Sequence, residues 1–237
     1  MNNLDNMERY ARHFYVKGFQ PLHQQQILDA SVLVVGAGGL GSAILLYLSA
    51  SGVGHLGIAD FDQVSESNLN RQILYTPQCL GQSKVAQATE KIRQINPNCR
   101  ITPVNSRITQ DNIMDIAQKF DIVADASDNF ETRYILDQAC ARLKKPLVYG
   151  TAEQWTGQVS VFHYLHAGSY RELYPDPPAV SSTPPGVMGP MPGLVGTRQA
   201  LEILKIITQQ GETLAGKLLI IDALNNHDQT IMLKPQP

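Results

Sequence analysis

Short apolar runs alternate along the chain with segments in which apolar residues recur every three or four positions. Apolar runs bounded by polar residues predict buried strands, and the three-to-four spacing predicts amphipathic helices. The predicted strands are residues 32–35, a short strand ending at Asp60, 100–105, 121–127, 146–150, 158–164, 217–224 and 229–233. The predicted helices cover the segment after the first strand, 84–95, 111–120, 131–143 and 193–210, with further helical residues within 5–29. This alternation predicts an α/β fold with a Rossmann-like, doubly wound, mostly parallel sheet and antiparallel C-terminal strands.

The pattern favours one domain over residues 1–237, because the length of 237 residues suits one large α/β unit. Residues 1–30 are predicted to form helices that precede the first strand. Residues 165–192 are rich in Pro, Ser and Gly, and they are too long for an ordinary connection. We interpret them as a crossover or lid loop.

The first predicted strand runs into a glycine-rich turn with Gly36, Gly38, Gly39 and Gly41. Such a turn presents backbone N–H groups and a helix N-terminus to a phosphate, and Asp60 follows near the spacing expected of an acid that binds a ribose. The turn therefore predicts a nucleotide site. Taken alone, it leaves open whether the chemistry is hydride transfer with NAD or transfer of a nucleotidyl group.

A polar stretch downstream of Asp60 separates these two alternatives. It contributes two cations and two amides, namely Asn68, Arg71, Gln72 and Lys84. Fixed positive groups beside a phosphate-binding turn suit a triphosphate whose pyrophosphate leaves, because they stabilise the developing charge. Asp128 and Asn129 end the next buried strand, where Asp128 can hold Mg²⁺ through one carboxylate. These residues favour nucleotidyl transfer.

Composition and charge exclude several other classes of protein. The formal net charge of −2 gives no sign of a nucleic-acid or anionic-membrane surface. No apolar run is long enough to span a bilayer, and the N-terminus has no signal-peptide pattern. The three cysteines, Cys79, Cys99 and Cys140, form no CxxC pair, so neither a disulfide framework nor a zinc site is indicated. We therefore expect a cytoplasmic protein without nucleic-acid or membrane partners.

Several motifs, in order, resemble those of the MoeB/ThiF/HesA family of ubiquitin-activating-enzyme-like adenylyltransferases, and the resemblance covers nearly the whole chain. The matching stretches are RYARH (9–13), GAGGLGS (36–42), DFDQVSESNLNRQ (60–72), GQSK (81–84), ASDNFETR (126–133) and GV…PGLVGTRQALEILK (186–205). The resemblance implies that the protein uses ATP and Mg²⁺ to adenylate the C-terminal glycine of a ubiquitin-fold sulfur carrier, releasing pyrophosphate.

The resemblance also implies roles for individual residues and a homodimer. Gly39 would line the phosphate turn and Asp60 would hold the ribose. Asn68, Arg71 and Lys84 would contact the phosphates, and Asp128 would bind magnesium. Arg12 would reach the γ-phosphate of ATP in the partner subunit. The implied carrier ends in Gly-Gly and belongs to thiamine or molybdenum-cofactor biosynthesis.

The chain departs from the family pattern in two places. Family members usually carry two CxxC pairs that hold zinc, whereas residues 169–174 read SYRELY and no second pair precedes Pro237. We therefore expect no zinc. Many relatives have a cysteine just before the Gly-Val of the crossover, where this chain has Ser181, Ser182 and Thr183. A hydroxyl is a poor nucleophile without a base, so we expect the reaction to stop at the acyl-adenylate and a separate protein to donate sulfur.

Three alternatives stay open on the sequence. A related enzyme could adenylate another carboxylate, such as a peptide C-terminus or a modified tRNA. A non-catalytic scaffold could bind nucleotide and a carrier without turnover. An NAD-dependent dehydrogenase would use the same glycine-rich turn.

Overall fold

The computed structural model describes residues 8–177 and 186–233, and its eight strands form one sheet. The strands are β1 (Ser31–Val35), β2 (His55–Ala59), β3 (Arg100–Val104), β4 (Ile122–Asp125), β5 (Leu147–Glu153), β6 (Thr156–Phe162), β7 (Lys217–Asp222) and β8 (His227–Met232). Their order is β3-β2-β1-β4-β5-β6-β7-β8. The first five strands pair in parallel, and β6, β7 and β8 continue the sheet in antiparallel pairs.

Helices cover both faces of the sheet. They are α1 (Pro21–Asp29), α2 (Gly39–Ser51), α3 (Lys84–Ile95), α4 (Ile113–Ala117), α5 (Phe130–Leu143), α6 (Tyr170–Leu173) and α7 (Pro190–Thr208). Short 3₁₀ turns lie at His13–Tyr15, Glu66–Asn68 and Pro77–Cys79. No helix among residues 8–177 and 186–233 is long and apolar enough to cross a membrane.

Successive residues of β1 point to opposite faces of the sheet, which explains its continuous apolar run. Val32 and Val34 pack with the apolar faces of α1, α2, α3 and α7. Leu33 and Val35 pack with α4, α5 and α6 on the other face. Each face buries a cluster of aliphatic and aromatic side chains, so the central strands β2, β1 and β4 are covered on both faces, while the edge strand β3 is partly exposed.

The predicted fold class is confirmed: the sheet is mostly parallel, with antiparallel strands near the C-terminus. The helix predicted at 111–120 is shorter, at Ile113–Ala117. The last strand, predicted at 229–233, already begins at His227 and ends at Met232. Within the predicted crossover, Tyr170 is buried in the core and α7 already begins at Pro190. Residues 178–185, including Ser181, Ser182 and Thr183, lie outside the described residues, so a lid stays a prediction.

Candidate nucleotide-binding site

The glycine-rich turn is built by close backbone approaches. Gly36 has a φ of +100°, and a side-chain carbon there would lie 2.4 Å from the carbonyl oxygen of Ala126. A carbon added at Gly41 would lie 1.9 Å from the Gly36 oxygen. Gly38 precedes α2 and offers no side chain to cap it. The first N–H groups of a helix have no partner within the helix, so this end is suited to bind phosphate.

Two of the predicted glycines also let neighbouring elements approach. A carbon added at Gly39 would lie 2.6 Å from Cβ of Pro192, in the first turn of α7. A carbon added at Gly38 would lie 3.5 Å from Nε2 of Gln72. Gln72 is buried, and among the described residues its Oε1 finds no hydrogen-bond donor. The turn is thus enclosed by α7 on one side and by the Gln72 amide on another.

Asp60 lies just after β2 and joins the glycine-rich turn to the following loop. Its Oδ2 accepts a hydrogen bond of 2.7 Å from the Ala37 amide, and its Oδ1 accepts one of 2.8 Å from the Asp62 amide. Asp62 in turn pairs with the Lys84 ammonium at 2.8 Å. Lys84 begins α3, and its side chain is only 6% exposed. A buried cation is therefore held close to the phosphate-binding turn.

The loop between Asp60 and Lys84 brings the remaining predicted residues to the same edge of the sheet. Asn68 accepts a hydrogen bond from the Ser65 amide at 3.3 Å. Arg71 donates to the carbonyl of Ser67 at 2.8 Å and to Oδ1 of Asn70 at 3.1 Å. The Arg71 guanidinium is thus held by its own loop, beside α2.

Tyr75 is a residue of this site that the sequence analysis missed. Its hydroxyl donates to the carbonyl oxygen of Ala37 at 2.7 Å and lies 3.4 Å from that of Lys84. Burial raises the pKa of this phenol, and the Asp60 carboxylate adds to the rise. Tyr75 therefore connects the glycine-rich turn to the start of α3, a contact that no local sequence motif predicts.

Asp128 lies beyond β4, on the other side of β1 from Asp60. Its side chain is exposed, and the neighbouring Asn129 caps α5 by accepting a hydrogen bond from the Thr132 amide at 2.9 Å. The turn that carries Asp128 meets the glycine-rich turn where Ala126 lies against Gly36. An exposed carboxylate at this place fits a hard cation such as Mg²⁺, which prefers one or two carboxylates plus waters and phosphate oxygens.

Arg12 does not join this cluster within the chain. The segment before it is anchored where α2 and α3 end: Tyr10 packs on Gly52, and its hydroxyl accepts a hydrogen bond from Asn96 at 3.2 Å. Both helices start at the carboxyl ends of the strands and finish at their amino ends. The exposed Arg12 therefore lies near the edge of the sheet opposite the glycine-rich turn.

The region with SYRELY is held by hydrogen bonds and aromatic packing. Asp137 of α5 accepts from His163 at 2.7 Å and from the Tyr170 amide at 2.8 Å. Tyr170 packs against Tyr149 and Tyr174, with ring centroids 5.1 Å apart in each pair. In the described part of the chain, no group of three or more His, Cys, Asp or Glu residues could hold a metal ion.

A family model, the ThiF family, matches residues 10–237. The chain belongs to the ThiF family. It is 42% identical over 234 residues to the maize (Zea mays) adenylyltransferase and sulfurtransferase MOCS3-1, covering 97% of this chain and 50% of the relative. It is 40% identical over 242 residues to the sulfur carrier protein adenylyltransferase of Thermus thermophilus, covering 98% of this chain and 89% of the relative.

The fold of this ThiF-family chain is also that of E. coli MccB. The structure of MccB with MccA-N7isoASN superposes with a TM-score of 0.89 at 19% identity, over 98% of this chain and 73% of MccB. The family model and the two curated relatives confirm the family expected from the sequence motifs. The chain spans about half the length of the maize relative.

Proposed function

We propose that this ThiF-family chain is an ATP-dependent adenylyltransferase that activates the C-terminal carboxylate of a sulfur-carrier protein. The observation that carries the proposal is the buried Lys84 ammonium, held by Asp62 beside the phosphate-binding turn. A desolvated cation at this position stabilises a departing pyrophosphate more strongly than an exposed one does. The similarity to the Thermus thermophilus sulfur carrier protein adenylyltransferase supports the choice of a carrier as the acceptor.

The reaction needs no nucleophile from the protein. A carboxylate oxygen of the carrier's terminal glycine attacks the α-phosphorus of ATP, and the bond from that phosphorus to the bridging oxygen breaks. Pyrophosphate leaves with the electron pair. Lys84 and Arg71 would neutralise its charge, with Asn68 and Gln72 as further phosphate contacts. Asp60, which accepts a hydrogen bond from the Ala37 amide, would also hold the ribose.

The exposed carboxylate of Asp128, beside Asn129, would hold the magnesium ion. Bound there, Mg²⁺ would supply charge neutralisation on the phosphate oxygens. The neighbouring Asn129 would keep the turn in place through its cap on α5.

Transfer of AMP to the carrier tests the proposal directly. The chain is incubated with ATP, Mg²⁺ and ThiS- or MoaD-like carriers that end in Gly-Gly, and the carriers are weighed by mass spectrometry. We expect a gain of one AMP, and the carrier that reacts assigns the thiamine or the molybdenum pathway. Lys84→Met should slow the transfer about 10³-fold, because it removes a preorganised charge.

Lys91→Met is the matched control, because Lys91 is an exposed lysine of the same helix. It should leave the transfer unchanged. No added AMP with any carrier contradicts the proposal. Absorbance changes with a nicotinamide cofactor would instead favour a dehydrogenase, and tight ATP binding without turnover would favour a scaffold.

We further propose that Arg12 acts across a homodimer. Its position near the edge opposite the glycine-rich turn supports this, since Arg12 does not reach the site of its own chain. Mixing inactive Arg12→Ala and Lys84→Met chains in equal amounts should restore about a quarter of the activity, because half of the dimers then contain one intact site. No recovery, with subunit exchange verified, would contradict the dimer role.

We also propose that sulfur comes from a separate donor. Burial raises the pKa of Cys99 to about 11 and raises that of Cys140 as well, so both thiols stay protonated and unreactive. Cys79 is half-buried and lies 3.6 Å from Oγ1 of Thr76. A trapped covalent adduct between a carrier and any of the three cysteines would overturn this part of the proposal.

A further inference from the structure

The residue before Asp128 has all three of its polar groups held by two buried, charged side chains. The amide and hydroxyl of Ser127 donate to Oδ1 of Asp125, at 3.0 Å and 2.6 Å. The carbonyl of Ser127 accepts a hydrogen bond of 3.2 Å from Nη2 of Arg133. The backbone just before Asp128 is therefore held both through its N–H donor and through its carbonyl acceptor.

Arg133 is in turn fixed by its own surroundings. Its Nη2 also donates to Oγ1 of Thr151 at 3.0 Å, and its guanidinium lies 5.2 Å and 5.6 Å from the ring centres of Phe130 and Tyr149. The side chain is 6% exposed. Cations are rarely buried unless they are paired or hydrogen-bonded, and here the hydrogen bonds of Nη2 and the two rings hold the guanidinium in place.

Asp125 is fully buried at the end of β4. Burial raises the pKa of its carboxyl, while Arg133 and the hydrogen bonds from Ser127 oppose that rise. Its Oδ2, like Nε of Arg133, finds no hydrogen-bond partner among the described residues. Buried polar atoms without partners destabilise a fold. Stability alone therefore does not explain why charged groups lie here.

We propose that Arg133 and Asp125 are positioning residues that fix the Ser127–Asp128 backbone so that the Asp128 carboxylate faces the metal and phosphates of bound ATP. Neither side chain touches the substrate; both act through Ser127. This inference rests on the proposed function, because it requires that Asp128 holds a divalent ion. Replacing groups that orient a metal ligand typically weakens metal binding 10–100-fold.

The test compares Arg133→Gln with Arg171→Gln. Arg171 is a matched control because its guanidinium also stacks on a tyrosine, 4.3 Å from the ring centre of Tyr134, yet it is exposed. Mn²⁺ serves as the probe, and its affinity is measured by electron paramagnetic resonance with a non-hydrolysable ATP analogue. We expect Arg133→Gln to weaken Mn²⁺ binding about 10–100-fold and Arg171→Gln to leave it unchanged.

Hydrogen–deuterium exchange of the free protein gives a second measurement that needs no nucleotide. Arg133→Gln should speed exchange of amides in residues 126–130 and leave β1 protected. A folded Arg133→Gln chain with unchanged Mn²⁺ affinity and unchanged exchange would overturn the proposal. If the Arg133→Gln variant does not fold, Ser127→Ala is tested in its place, because it removes only the 2.6 Å hydroxyl contact with Asp125. Ser127→Ala should also weaken Mn²⁺ binding. Unchanged Mn²⁺ affinity in that variant would overturn the proposal.

The two proposals fail in different ways. Mn²⁺ and ATP binding without AMP transfer to any carrier would contradict the adenylyltransferase function and leave the positioning role standing. AMP transfer by the wild-type chain, together with unchanged Mn²⁺ affinity and unchanged hydrogen exchange in the Arg133→Gln variant, would contradict the positioning role alone. Failure of the wild-type chain to bind Mn²⁺ would overturn the positioning role outright.

Discussion

The two turns that meet at the carboxyl edge of the sheet are held in opposite ways. The turn of Gly36 to Gly41 is shaped by missing side chains, because carbon atoms added at its first and last glycines would meet backbone oxygens at 2.4 Å or less. The turn of Ser127 to Asn129 is shaped by buried side chains, with Asp125 and Arg133 holding Ser127 from both sides. The first turn is damaged by adding atoms and the second by removing them.

This difference also separates two kinds of sequence signal. Glycines that permit close backbone contacts recur at fixed local spacing, so they can be recognised within a few residues. The second turn depends on side chains far along the chain, among them Gln199, which is 74 residues from Asp125. A short pattern does not report such contacts.

The largest effect is expected from adding one carbon to the first turn. Gly36→Ala places a side chain at a φ of +100° and 2.4 Å from the Ala126 oxygen. Left-handed strain and overpacking together should lower the free energy of unfolding by about 3 kcal/mol or more. Urea titration followed by circular dichroism measures this loss.

Gly81→Ala separates the two causes. Gly81 also has a positive φ, of +74°, but nothing lies within 4 Å of an added carbon. Its loss should be about 1 kcal/mol, from backbone strain alone. Equal losses at Gly36 and Gly81 would show that the close contact with Ala126 contributes nothing to the first turn.

A smaller effect is expected when the second turn loses a buried amide. Gln199 of α7 is fully buried, and its Nε2 donates to the carbonyls of Asp125 at 2.7 Å and Val148 at 3.0 Å. Gln199→Leu should cost about 2 kcal/mol, because buried carbonyls lose their donor. Urea titration measures the cost, and hydrogen exchange in residues 126–130 should become faster.

Gln24→Leu is the matched variant at the other edge of the sheet. Gln24 is also buried, and it contacts His13 at 2.8 Å and the carbonyl of Ser51 at 3.0 Å. It should show a similar loss of stability with no change of exchange in residues 126–130. Faster exchange there in both variants would mean that the second turn responds to general destabilisation and not to its own supports.

The sequence analysis identified the α/β sheet and the glycine-rich turn, and it named Asp60 and Lys84 as one cluster. Their signals are local or follow from strand ends that share an edge. It did not single out Asp125, Arg133 or Gln199, although the last two lie within the family-like motifs at 126–133 and 186–205. Their roles depend on burial and on partners across the sheet, which become visible only once the chain is folded.

The caps of α5 and α3, two helices that begin at this edge of the sheet, offer a third, weaker comparison. Asn129 caps α5 with a hydrogen bond of 2.9 Å from Thr132, and Ser83 caps α3 with a longer one of 3.4 Å from Ala86. Asn129→Ala should cost about 1 kcal/mol, whereas Ser83→Ala should cost about 0.5 kcal/mol. Thermal unfolding measures both, and a larger loss for Ser83 would contradict the ranking of the two caps by hydrogen-bond length.

A small gain of stability is expected at a glycine near the first turn that no contact requires. Gly193 lies in the first turns of α7, next to Pro192, which packs on Gly39, yet nothing lies within 4 Å of a carbon added at Gly193. Gly193→Ala should stabilise the protein by about 0.5–1 kcal/mol, because alanine loses less conformational freedom in a helix. Urea titration measures the gain, and AMP transfer to a carrier shows whether activity follows. Higher stability with slower AMP transfer would mean that bound substrate uses the space beside Gly193, so that the first turn is shaped by its substrate as well as by its backbone.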